Sequence, residues 1–98
     1  MENREYLIEL YEEYRKLLTN KQQSYFESYY YEDLSLNEIA DLNKVTKTLE
    51  GKTNKNLEEK LLNYEQILKI HEKNELIKQL INETDEKTKN KLEEILYK

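Results

Sequence analysis

The chain has no cysteine, no proline, no tryptophan, one glycine and one histidine. Without cysteine there is no disulfide and no thiolate chemistry, which fits a reducing, cytoplasmic setting. Without proline, and with a single glycine, the turns of a β-rich fold have no residues to build them, so the chain is expected to be helical. No apolar run approaches the roughly 20 residues that cross a bilayer, and the opening stretch MENREYLIEL carries no secretory hydrophobic segment, so no integral membrane contact is expected. Asn82-Glu83-Thr84 matches a glycosylation sequon, which reads as chance without a secretory signal.

What is present is charge and amphipathic periodicity. Charged residues make up 38% and hydrophobic residues 37% of the 98 residues, enough for one small domain, 1–98, with a thin core. Net charge is −5, but it is unevenly placed. Residues 1–42 and 58–98 are acidic, whereas Lys44, Lys47, Lys52 and Lys55 face only Glu50 across 43–57. Such an island hints at a polyanionic partner.

Spacings of three and four place Tyr6, Leu7, Leu10, Tyr11, Tyr14, Leu17 and Leu18 on one face of a helix over 3–18. Thr19 to Gln22 and Ser35 to Glu38 read as capping boxes opening two further helices. Asn43-Lys44 reads as a turn, and Thr46 as the cap of a long helix with a stripe of Leu49, Leu57, Leu61, Tyr64 and Leu68. A break is expected near Asn74 and another over Asn82–Asp85, before a short last helix. A short helix at 35–42, a turn at 43–45 and a helix from 46 outline a helix-turn-helix, with its core over about 19–57 and C-terminal helices over about 58–98.

In that geometry Lys44, Lys47, Lys52 and Lys55 are candidates for phosphate contacts, and Thr46 and Thr48 for hydrogen bonds to backbone or base edges. Lysine without arginine lacks the bidentate fork that reads bases. Gly51-Lys52-Thr53 resembles the tail of a phosphate loop, but position 46 is threonine and no strand precedes it, so no nucleotide site or small-molecule substrate is expected. The tyrosines fall on helix stripes and are read as core, with Tyr31 exposed. His71 has no ligand at metal-binding spacing, so neither a metal nor a cofactor is expected. Adjacent glutamates such as Glu12-Glu13 diverge on a helix, and no nucleophile–base pair is evident, so catalysis is not expected. The amphipathic C-terminal helices suit intramolecular packing, a homodimer or docking on another protein.

The stretch LYEEYRKLLTNKQQSYFESYYYEDLSLNEIA resembles the YlxM family, small bacterial proteins encoded beside signal recognition particle genes. The resemblance runs through Val45-Thr46-Lys47 and Lys55 into KLLNYEQILKIHEKNELIKQLI. The centre is also similar to the fourth region of bacterial sigma factors. The resemblance implies an all-α fold: a sigma-region-4-like helix-turn-helix core, an N-terminal helix and a C-terminal helical extension. It implies a non-catalytic accessory of the signal recognition particle pathway, binding its RNA or its GTPase. A DNA-binding transcriptional regulator is the alternative, and a protein-interaction module the next. The family usually has apolar residues at the positions of Asn43, Glu50 and Asn54, so a loosely seated recognition helix is expected, with Leu42 and Leu49 partly compensating.

Overall fold

The hydrophobic periodicity resolves into helices throughout. The computed structural model describes residues 4–97, and among them there is no strand. Helices α1 (Arg4–Tyr14), α2 (Asn20–Tyr30), α3 (Leu36–Asn43), α4 (Lys47–Leu68), α5 (Ile70–Glu83) and α6 (Glu86–Leu96) follow in order, with a 3-10 turn at Arg15–Leu17. The all-α class is as expected.

Local chemistry sets the helix starts. Thr19 Oγ1 accepts from the Gln22 N–H at 3.1 Å, while Gln22 Oε1 accepts from the Thr19 N–H at 2.9 Å. Ser35 and Glu38 repeat the exchange at 3.1 and 3.0 Å. Each box satisfies two amides that a helix start leaves open. Asp85 caps α6 through the Thr88 N–H at 2.8 Å.

Two boundaries differ from the sequence reading. The first helix ends at Tyr14 rather than running to 18, because the chain tightens over Arg15–Leu17 and turns extended at Leu18. The Gln23 side chain, reaching back from α2, donates to the Arg15 and Leu18 carbonyls at 2.7 and 3.3 Å and so stabilises that early end. No break occurs near Asn74; it falls at Lys69, whose φ of 54° is left-handed.

The core gathers Leu7, Leu10, Tyr11, Tyr14, Leu18, Tyr25, Phe26, Tyr30, Ile39, Leu57 and Leu61 from α1–α4 and the bend after α1. Tyr11 stacks on Phe26 at 4.1 Å between centroids, and Phe26 on Tyr30 at 4.3 Å. Tyrosine suits so thin a core because the ring is buried while the hydroxyl finds a partner at the edge. Tyr11 donates to Glu27, and Tyr30 to Glu58 Oε1 at 2.6 Å. Tyr31 is exposed, as expected.

No residue of α5 or α6 is buried. The two helices pack on each other, and α5 also rests on α1. The molecule measures 54 × 24 × 23 Å. Its radius of gyration is 16.7 Å, against about 13 Å for a compact chain of this length. The shape is a head of α1–α4 with α5–α6 as an arm, along which Leu76, Leu80, Ile95 and Tyr97 lie exposed.

Candidate nucleic-acid interface

The α3–turn–α4 unit sits on α2. Ile39 and Ala40 of α3 and Leu57 and Leu61 of α4 are buried. Helix α3 closes at Lys44, which is left-handed at φ 58°. The Val45 N–H reaches back to the Ala40 carbonyl at 3.0 Å and the Lys44 N–H to Asp41 at 3.3 Å. That is the Schellman pattern, with lysine where glycine is usual. Thr46 Oγ1 then accepts from the Leu49 N–H at 3.1 Å and starts α4. A three-residue turn therefore separates the two helices.

The seat of α4 is polar. Glu50 is only 4% exposed. Its Oε1 accepts from Asn43 Nδ2 at 3.3 Å, and its carbonyl accepts from the buried Tyr25 hydroxyl at 2.8 Å. Burial, then the neighbouring Glu50, pushes the Tyr25 phenol up. Glu50 Oε2 and Asn54 Oδ1 are buried with no hydrogen-bond partner among the described residues. The compensation expected of Leu42 and Leu49 is absent: they are 70% and 49% exposed. With Val45 and Tyr25 they border a cleft of about 750 Å³ between α2, α3 and α4. The reason is register. Tyr25 and Asn43 hold the Glu50 side of α4 inward, which rotates Leu49 toward the cleft.

All six sequence-predicted residues, Lys44, Thr46, Lys47, Thr48, Lys52 and Lys55, are exposed. At 100° per residue, Thr48, Lys52 and Lys55 fall within about 60° of one another, away from the Leu57–Leu61 stripe. Lys47 stands on the flank of the same turns, and Lys44 in the turn before them. Among the described residues none of the four lysines is ion-paired. Lys44 and Lys47 flank the N-terminus of α4, whose partial positive charge adds to theirs, while Lys52 and Lys55 lie in its second and third turns. The stripe ends one turn later at the exposed Glu59. Thr46 Oγ1 already serves as the cap, which leaves its hydroxyl proton free to donate.

Gly51-Lys52-Thr53 lies inside α4, and Thr53 Oγ1 donates to the Leu49 carbonyl at 2.9 Å. Its amides serve the helix and cannot cradle a phosphate. Sequence reasoning missed the apolar cleft border, because Leu42, Val45 and Leu49 are spaced like a core stripe. It also missed the carboxylates around His71, which come from α1. No described helix is long and apolar enough to cross a membrane.

Residues 1–97 match the family model described as "Putative helix-turn-helix protein, YlxM / p13 like". A UPF0122 protein of Ureaplasma urealyticum serovar 10 is 48% identical over 69 residues, 70% of each chain. One from Mycoplasma capricolum subsp. capricolum is 42% identical over 79 residues, 81% of this chain and 70% of its own length. One from Desulforamulus reducens is 38% identical over 100 residues, 87% of this chain and 86% of its own length. Over that span, and with the α3–turn–α4 geometry in place, the chain belongs to the UPF0122 family of YlxM / p13-like helix-turn-helix proteins.

Proposed function

We propose that this protein is a non-catalytic regulator that binds duplex DNA through the start of α4. The observation that carries the reading is the set of exposed lysines at 44, 47, 52 and 55 along the turn and first three turns of α4, none of them ion-paired among the described residues. Membership of a helix-turn-helix family supports it. Four phosphate contacts correspond to a slope of log affinity on log salt of about −3.6. On a chain of net charge −5 such affinity is modest. Fluorescence anisotropy of a labelled duplex across a salt series tests it. The Lys→Glu change at all four positions should abolish binding, and competition with random DNA reads out base discrimination.

A lysine-only set favours phosphate over base edges, and a structured RNA offers phosphates equally well. The second reading is therefore a cytoplasmic accessory of protein targeting, contacting the RNA or GTPase of the signal recognition particle. The exposed apolar side chains of α5 and α6 suit a protein partner or a homodimer in either role. Affinity capture with and without nuclease separates the arms. Capture of the GTPase that survives nuclease favours direct docking, and RNA lost on nuclease treatment favours the particle's RNA.

A further inference from the structure

Four titratable side chains meet where the arm joins the head. His71, the only histidine, is nearly enclosed, its side chain 12% exposed. Its Nδ1 lies 2.9 Å from Glu13 Oε1, and its Nε2 lies 3.4 Å from Glu9 Oε2, both carboxylates coming from α1. Glu75 stands one turn beyond His71 on α5. One ligand atom each from Glu9, His71 and Glu75 lies within 4.8 Å of the others. The Tyr6 ring meets the imidazole edge-on at 5.3 Å.

Both ring nitrogens face carboxylate oxygens, yet a neutral imidazole carries one N–H. The 2.9 Å contact has the length of an Nδ1–H donating to Glu13. Nε2 then aims a lone pair at the Glu9 carboxylate, acceptor against acceptor. A metal ion placed between them would turn that repulsion into attraction. The separation of 3.4 Å is long for a charge-assisted hydrogen bond, which runs about 2.7–2.9 Å. It is close to the edge of a tetrahedral site with metal–ligand bonds of about 2.0–2.1 Å, which is about 3.3 Å. Glu13 takes the outer position that fixes tautomer and ring direction in histidine–metal sites. Its second oxygen is buried with no partner among the described residues. Glu75 Oε1 also lies 3.5 Å from Lys78 Nζ, but both side chains are about half exposed, and such a pair yields readily.

We infer that Glu9, His71 and Glu75 form a divalent-cation site joining α1 to α5. One imidazole nitrogen and two carboxylates, with no thiolate, match Zn²⁺, with water completing the shell. An ion there would clamp the root of the arm to the head.

The test is titration of Zn²⁺ alone into the chelator-stripped full-length protein, followed by calorimetry and by proton NMR of the single imidazole. One ion per chain, with displaced His71 ring signals, is expected. Glu9→Gln and Glu75→Gln should each weaken binding at least about tenfold. Glu75 lies outside the core, so Glu75→Gln keeps the fold, and circular dichroism verifies it. Three outcomes overturn the site: affinity unchanged in both variants, no saturable uptake, or uptake that leaves the ring signals in place.

Discussion

The Tyr14 hydroxyl of α1 donates to Glu65 Oε1 of α4 at 2.6 Å and accepts from the Ile70 N–H of α5 at 3.0 Å. Glu65 in turn accepts from the His71 and Glu72 amides, each at 3.0 Å. The start of α5 has no side-chain cap of its own, because Lys69 offers no acceptor. Two residues from other helices cap it instead, which is how the arm is aimed.

Loss of this junction should be visible in stability and in its pH dependence. Tyr14→Phe should cost about 1 kcal/mol and Glu65→Ala about 1–3 kcal/mol, read from urea denaturation at neutral pH. Burial alone would raise the Glu65 carboxyl. The Tyr14 hydroxyl and the His71 and Glu72 amides outweigh it and hold the group below its ordinary 4.5. A depressed carboxyl contributes stability that is present above its unfolded value and lost as pH falls through its folded one. The gap between the parent and Glu65→Gln should therefore be widest above pH 4.5 and close on further acidification. A gap independent of pH would contradict the assignment.

Alkaline pH should act in the opposite direction. Burial, then the Glu65 carboxylate, pushes the Tyr14 phenol up to about 12, and burial with glutamate neighbours also raises Tyr11, Tyr25, Tyr30 and Tyr31. Raised phenols contribute stability that is complete below the unfolded value of 10.0 and is lost as pH climbs through the folded one, near 12 for Tyr14. Ultraviolet titration of the nine tyrosines should show a late phenolate phase coinciding with loss of helical circular dichroism. All nine ionising together near pH 10, with helicity intact, would refute this.

The buried carboxylate under α4 is a stability cost. Glu50 has one hydrogen bond to its Oε1, from Asn43 at 3.3 Å, and none to Oε2 among the described residues. The Tyr25 bond goes to the Glu50 carbonyl, so it survives substitution. Glu50→Met should stabilise the chain by about 1–3 kcal/mol, since an unsatisfied buried polar group is removed and Asn43 can turn to water. The midpoint of urea denaturation measures it, and a lower midpoint would contradict this reading of Glu50.

The helix starts were legible because capping chemistry spans three residues: Thr19, Ser35 and Thr46 are each read from their own neighbourhood. The tyrosine core was legible because spacings of three and four put Tyr11 and Tyr14, then Tyr25 and Phe26, on one side. The seat of α4 was not. Leu49 and Leu68 continue the Leu57–Leu61 stripe in sequence, yet both are exposed while Glu50 is buried. That register depends on Tyr25, 25 residues away. The lysine run is likewise local, whereas the lack of ion pairs to it among the described residues depends on where the acids of other helices fall. The carboxylates at His71 lie beyond any spacing rule, since Glu13 is 58 residues from it.

Gly51 separates stability from binding. It lies in the second turn of α4, and a Cβ added there meets nothing within 4 Å. Glycine inside a helix costs about 1 kcal/mol relative to alanine. Gly51→Ala should raise stability by about that amount in urea denaturation. The position neighbours Lys52, so the same variant probes the proposed interface. If α4 presents only its lysine tips to phosphates, the methyl group is tolerated and duplex affinity in the anisotropy assay stays within about twofold, a difference of about 0.4 kcal/mol. If affinity instead falls tenfold while stability rises, the nucleic-acid backbone approaches α4 at Gly51 itself, and the contact surface must be redrawn around that glycine.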